Sequence, residues 1–426
     1  MPAASPFRAL CYAPHLRASM DRLVAPPYDV LSDEQRRSLA DGHPRNVVHL
    51  DLPRPSGEVD PYESAAVLLQ RWVEDGTLAR DARPAFYACE QLYRDPSGRE
   101  AARRGFFARL TLEPFESGSV IPHERTLDRP RADRQRLLAA TRTHLSAVFL
   151  LHPDPGAEVA RLLRGALEGD RGVEARDLEG TRSRVVRVED AERKAFLADR
   201  LRGQWCLIAD GHHRYESALA YRDERRARGF RDAEHVLVFL CSLEDPGLAI
   251  FPIHRLVRSL PGFDPARFAE RMAGLFRLLP AADPESLLQL MTSRRDRPGV
   301  FGLALEGGRL VLAEWREGEG LTLPEMAQTP APLRNLDVVL LHRLVLEHLL
   351  KITHEAEAGQ DHLDYVKDRR EVFDRVAEGR AQIGVLMNPT RLEQVMAVTR
   401  GGYRLPQKST YFYPKVLTGL VFDPLD

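Results

Sequence analysis

Residues 206–224 read CLIADGHHRYESALAYRDE, and their order decides how the chain around them folds. The apolar run at 206–209 suits a short buried strand, and the stretch after Arg214 repeats apolar residues at helical spacing. Ala218, Leu219 and Tyr221 are expected to face inward, and Arg222, Glu224 and Arg225 to face water. Between strand and helix stand Asp210, Gly211, His212, His213 and Arg214. Gly211 permits a sharp turn or a close approach of the backbone to a ligand. The N–H groups at a helix start carry partial positive charge and suit a phosphate or carboxylate. The dipole alone contributes only about 0.3–1 kcal/mol, so the amides and the forked donors of Arg214 would do most of the binding. Asp210 reads as a general base or a magnesium ligand. His212 and His213 titrate nearest neutrality, so one of them could shuttle a proton. A polar Asp-Gly turn with helix-capping residues is the plainer alternative. A metal-dependent hydrolase is another, because His212 and His213 lie four and three residues before Glu216. That reading needs a third ligand from His123, His254 or elsewhere, since H-E-x-x-H is absent.

Working outward, SAVFLLH and SRVVRVED read as strands, and GAEVARLLRGALEG and AERKAFLADRLRG as helices. PAFYACEQLYRD and REAARRGFFARLTLE form a hairpin around DPSGR. Ser32 with Gln35, and Asp60 with Pro61, mark two helix starts. Later come helices at PARFAERMAGLF and PESLLQLMTS, a hairpin at GVFGLALEGGRLVLAEW and a helix at DVVLLHRLVLEHLLK. This order predicts an α+β fold of mixed sheets with packed helices. The turn SLPGFDPARF suggests an N-terminal α/β region over 1–260, carrying DGHHR, and a C-terminal α+β region over 261–426.

The 426 residues are 43% hydrophobic and 29% charged, with a net charge of −1. That balance speaks against the nucleic-acid backbone as principal partner. Four cysteines without CxxC spacing argue against a disulfide framework or zinc ribbon. No apolar window approaches membrane-spanning length, and the first residues lack a signal-peptide pattern. The expectation is a soluble, cytoplasmic protein, without nucleic-acid or membrane partners, that assembles as a homodimer.

Four further stretches carry candidate chemistry. IPHERTLDR supplies His123, Glu124 and Arg125, with Glu124 as a base toward a substrate hydroxyl and His123 or Arg125 as charge holders; a solvated loop is the rival. In APPYDVLS two prolines fix the backbone before Tyr28 and Asp29, although Asp29 could simply cap the next helix. LPQKSTYFYPK offers Lys408, Ser409 and Thr410 to a phosphate or carboxylate, without the glycines of a Walker A loop. FPIHRLV places His254 and Arg255 at a strand end, as cleft lining or as strand caps.

Together APPYDVLS, IPHERT, LIADGHHRYESALAYRDE, FPIHR and LPQKSTYFYPK resemble a bacterial and archaeal family catalogued as domain of unknown function 1015, over nearly the whole chain. More locally, Asp210-Gly211-His212-His213-Arg214 is similar to the strand-to-helix phosphate site of the ParB/sulfiredoxin-like fold. Some members that share D-G-H-x-R are free-serine kinases, which use an acidic residue to activate the hydroxyl and magnesium to hold the nucleotide. The resemblance implies catalytic or binding roles for Asp210, His212, His213 and Arg214; the remote acid does not align by motif, and Glu124 and Asp29 are the candidates for it. No basic helix-turn-helix follows the motif, so DNA partitioning is not implied. The expected function is phosphoryl transfer to or from serine or phosphoserine, with Mg at Asp210 and ATP or ADP as nucleotide. A nucleotide-binding module without turnover and the metal-dependent hydrolase are the rivals.

Overall fold

Long apolar strands need cover on both faces, and here helices supply one cover and aromatic side chains the other. The computed structural model describes residues 3–55, 59–96, 98–124, 126, 128–352 and 362–425. The fold is α+β, with mixed and antiparallel sheets. The chain forms two units: 1–122, 126–249 and 412–426 make the first, and 123–125 with 250–411 the second. The first unit is therefore discontinuous, whereas a single cut near 260 would leave its last fifteen residues with the second.

In the first unit, nine strands among the described residues form one sheet. They are β1 (Ala4–Ser5), β2 (Phe86–Arg94), β3 (Glu100–Thr111), β4 (Val120–Ile121), β5 (Val148–His152), β6 (Val173–Arg176), β7 (Arg182–Val188), β8 (Cys206–Asp210) and β9 (His235–Ser242). Their order is β4-β8-β5-β9-β3-β2-β7-β6, with β1 beside β3. β9 runs parallel to β5 and antiparallel to β3, while β8 is antiparallel to β5 and parallel to β4. The longer helices are α1 (Asp33–Gly42), α2 (Pro61–Glu74), α3 (Asp128–Thr141), α4 (Glu158–Glu168), α5 (Ala191–Leu201) and α6 (His212–Ala227). Ser32 and Gln35 close a reciprocal capping box on α1, and Asp60 caps α2 ahead of Pro61.

Alternation along the strands separates two faces. Phe86, Ala88, Phe106, Ala108, Val148 and Leu150 share a core with Val159 and Leu163 of α4, Leu197 of α5, and Tyr215, Ala218 and Tyr221 of α6. Each such large side chain, fully buried, contributes about 1.5–3 kcal/mol. The opposite face is aromatic: Phe239 lies 5.2 Å from Phe107 and 5.5 Å from Phe149, and Phe412 lies 6.2 Å from Phe149. Arg222 departs from the expected water-facing side of α6. It is 5% exposed, and its Nη1 donates to the Leu112 carbonyl at 2.7 Å. The helix tucks this guanidinium beneath the end of β3 because an unmet carbonyl lies there, a tertiary demand that helical periodicity does not encode.

The second unit has an antiparallel sheet of β10 (His254–Val257), β11 (Phe276–Ala281), β12 (Val300–Leu305), β13 (Arg309–Trp315), β14 (Leu363–Val366) and β15 (Ile383–Met387). The order is β11-β13-β12-β15-β10-β14. Helices α7 (Pro265–Ala273), α8 (Pro284–Thr292), α9 (Arg369–Ala377) and α10 (Leu392–Arg400) belong to it. Asp264, Asp283 and Asp368 cap the first three. Leu287 and Met291 of α8 and Val372 and Val376 of α9 pack with Leu256, Val300, Leu312 and Leu386.

Candidate functional site

β8 ends at Asp210, opposite Phe149 of β5, where the pairing shifts register after Ile208. Gly211 then turns the chain with φ +88°, in the left-handed region, and α6 starts at His212. A side chain is doubly excluded at this turn. A Cβ on Gly211 would sit 2.8 Å from Nε of Arg214 and 2.9 Å from its Cζ. The first turn of α6 holds no acidic residue, and Gly211 brings no side-chain acceptor to it.

Arg214 points back under this turn rather than out toward an anion. Its Nη2 donates to Asp210 Oδ2 at 2.6 Å, and its Nη1 donates to the Ala147 carbonyl. The other carboxylate oxygen, Oδ1, accepts from Lys415 Nζ at 2.5 Å. Asp210 and Lys415 are both largely buried, with 13% and 11% of their side-chain surfaces exposed. Burial alone would raise the Asp210 pKa; the Lys415 ammonium and then the Arg214 guanidinium override it and hold the carboxyl well below the usual range. A protonated His212 would act in the same direction. Sequence reasoning misses Lys415, although it closes the stretch LPQKSTYFYPK. It meets Asp210 across 205 residues of chain, and neither motif spacing nor periodicity signals that meeting.

Tyr28 and Asp29 lie in the same unit. The Tyr28 ring carries the Arg134 guanidinium 4.2 Å above it, and Arg134 Nη1 donates to Asp51 Oδ1 at 3.0 Å. Burial, then the charge of Asp29, pushes the Tyr28 hydroxyl pKa up, while Arg134 and Arg214 pull it back. A cavity of about 40 Å³ between Asp51, Arg134, Ser146, Arg214 and Ser217 has room for a few waters but not for an amino acid. Glu216, the acid of the hydrolase alternative, accepts from Thr126 Oγ1 at 2.6 Å.

The remaining expected residues belong to the second unit. His123 Nε2 shares a hydrogen bond with Thr410 Oγ1 at 2.7 Å, and Glu124 Oε1 lies 3.8 Å from the same nitrogen. The Leu405 N–H donates to the His123 carbonyl at 2.7 Å, so IPHE and LPQKST form one cluster. Arg255 Nη2 donates to the Lys408 carbonyl at 3.0 Å and is 2% exposed. Ser409 Oγ donates to the Pro406 carbonyl at 2.5 Å, which turns that hydroxyl to loop structure. Arg125 lies outside the described residues.

His254 Nδ1 accepts from the Met387 N–H at 3.1 Å, which requires that nitrogen to be unprotonated. Burial, then Arg255 and Arg369, lowers its pKa from 6.5 to about 4. The folded state thus refuses a proton that the unfolded chain takes up. The resulting stability is full above pH 6.5 and is lost as pH falls to 4, amounting to about 3 kcal/mol. Denaturation of wild type and His254→Gln between those pH values should show the flatter profile in the variant, whose amide oxygen can still accept.

The donor set at Asp210 does not fit a resident magnesium. The two carboxylate oxygens are held by Arg214 and Lys415, whose positive charges oppose a divalent cation there. Among the described residues, no group of three or more His, Cys, Asp or Glu is placed to hold a metal ion. No described helix is long and apolar enough to cross a membrane.

A family model described as "Protein of unknown function (DUF1015)" matches residues 4–339. No curated protein matches the chain. Among solved structures, a conserved hypothetical protein from Pyrococcus furiosus is similar at 14% identity and a TM-score of 0.35, covering 72% of this chain and 90% of that one. A free serine kinase in complex with AMP is similar at 12% identity and a TM-score of 0.36, covering 72% and 86%. SbnI with a C-terminal truncation, from Staphylococcus aureus, is similar at 10% identity and a TM-score of 0.37, covering 75% and 87%.

Proposed function

The chain belongs to the DUF1015 family, and from the geometry of its own residues we propose that it transfers a phosphoryl group from ATP or ADP to the hydroxyl of a small amino acid, serine. The observation that supports this most is the Asp210 carboxylate, kept ionised between Lys415 and Arg214 where a 16-residue helix begins. Phosphoryl transfer asks for positioning and charge neutralisation, with little covalent work for the protein. The α6 amides are aimed to hold phosphate oxygens. Lys415 supplies a compact ammonium whose three donors can serve Asp210 and a transferring group together. Asp210 accepts from the serine hydroxyl and orients its oxygen, and the neutral imidazole of His212, at the start of the same helix, takes the proton. Arg214 holds Asp210 rather than the phosphate, and exposed Asp29 offers a carboxylate to the substrate's ammonium group.

The test incubates purified protein with serine and magnesium–ATP or magnesium–ADP, and in parallel with phosphoserine alone. Phosphoserine should form, and Lys415→Ala should lower its rate about 100-fold or more, as when a transition-state donor is removed. Phosphate release from phosphoserine without synthesis would show hydrolysis instead of transfer from nucleotide. If nucleotide raises the melting temperature and no product appears in any mixture, the enzymatic reading fails and a sensing module replaces it.

A further inference from the structure

Arg103 stands within β3 with no exposed surface, directly opposite Gln91 of β2, which is equally buried. Gln91 in turn faces Ser183 of β7, so three polar residues cross the sheet face that carries Phe107, Phe149 and Phe239. The Arg103 guanidinium lies 4.3 Å from the centre of the Phe149 ring and 5.4 Å from that of Phe239. Its Nε donates to Gln91 Oε1 at 3.1 Å, and its Nη2 donates to the same oxygen. Among the described residues its Nη1 has no hydrogen-bond partner. A buried guanidinium paired with an amide is costly to bury, and an apolar side chain would fill the same space more cheaply. Its presence there calls for another role.

The geometry supplies one. With both guanidinium donors on Oε1, the Gln91 amide cannot flip, and its Nε2 faces the Lys415 carbonyl at 2.9 Å and Ser183 Oγ at 3.4 Å. A charged donor on the oxygen also polarises the amide and strengthens the bond made by its nitrogen. Lys415 carries the ammonium that meets Asp210 Oδ1. The same guanidinium packs on Phe149, whose backbone lies opposite Asp210. Arg103 thus reaches both members of the ion pair, one through an amide and one through a ring.

We infer that Arg103 and Gln91 are positioning residues for Lys415: the guanidinium locks the Gln91 amide, and the amide fixes the Lys415 backbone so that its ammonium stays on Asp210. The consequence for turnover rests on the phosphoryl-transfer reading, so the test reads the ion pair itself as well as the rate. Gln91→Glu keeps the size and still accepts from Arg103, but it has no donor for the Lys415 carbonyl. Arg103→Met removes the charge and keeps most of the volume. Each variant is exposed briefly to a small amine-acylating reagent, and labelling of Lys194, Lys351, Lys367, Lys408 and Lys415, all the lysines of the chain, is followed by peptide mass spectrometry. Lys415 labelling should rise about tenfold in both variants, the order expected when one hydrogen bond is lost, with the other four within about twofold. With serine and nucleotide, kcat should fall by a similar factor while KM holds, and Arg103→Lys should recover part of it. A wild type without turnover sinks the enzymatic reading, yet the labelling pattern still decides the positioning role. Unchanged Lys415 labelling in Gln91→Glu, or a common rise at all five lysines, overturns it. Should Arg103→Met fail to fold, the labelling of Gln91→Glu alone decides between these outcomes.

Discussion

Asp210→Ala should lose about 3–5 kcal/mol of stability in chemical denaturation, along with all measurable phosphoryl transfer. The loss comes from what stays behind. Lys415 and Arg214 donate to the two carboxylate oxygens from largely buried positions, and without them two cations face each other with no counter-charge. Asp210→Asn should be milder, because an amide oxygen can still accept from one of the two. The carboxyl is held well below its ordinary range, so its contribution is full above the unfolded value of about 4 and is lost as pH falls below that. A stability profile that is flatter below pH 4 in Asp210→Asn than in wild type would confirm the linkage; parallel profiles would refute it.

Gly211→Ala should cost about 1–3 kcal/mol from backbone strain alone, since φ +88° is a conformation that L side chains rarely adopt. The added methyl would also meet the Arg214 guanidinium, which is anchored at both Nη atoms and cannot swing aside without releasing Asp210. Activity should therefore fall further than the melting temperature suggests, by about tenfold or more if one charge-assisted bond at Asp210 is lost. Equal stability and full turnover in Gly211→Ala would show that the turn tolerates a side chain and that Arg214 does not hold the carboxylate in place.

Local chemistry is legible in the sequence wherever its cause is local. The capping box at Ser32 and Gln35, the Asp60–Pro61 helix start, the β2–β3 hairpin and the strand-to-helix junction at Gly211 all follow from neighbours within a few residues. The DGHHR stretch reads as chemically loaded on the same grounds. Orientation is not legible. Residue type and position aim Arg214 at an anion, yet it turns back onto Asp210 and Ala147, because the carbonyl that attracts it belongs to a segment 67 residues away. Arg222 turns inward for a similar reason, toward Leu112. Gln91 and Arg103 carry no motif, and Lys415 stands at the end of LPQKSTYFYPK without spacing that points to Asp210. Their link depends on β-sheet register and on a distant segment passing over the sheet, and both are tertiary facts. His123 and Thr410 stand in two stretches far apart in sequence, and only the fold brings them within one hydrogen bond.

The long separation between Asp210 and Lys415 also has a temporal side. Translation adds about 5–20 residues per second, so the 205 residues between them take about 10–40 s to make. During that interval the aspartate at the end of β8 has Arg214 as its nearby cation, four residues on, and no ammonium to meet. A ribosome-bound chain that has begun to fold its first unit therefore carries an incomplete charge balance in what will become its core. The second unit is made almost entirely within that wait, since most of residues 250–411 precede the returning segment. The ion pair can therefore close only after nearly all of the second unit has been synthesised.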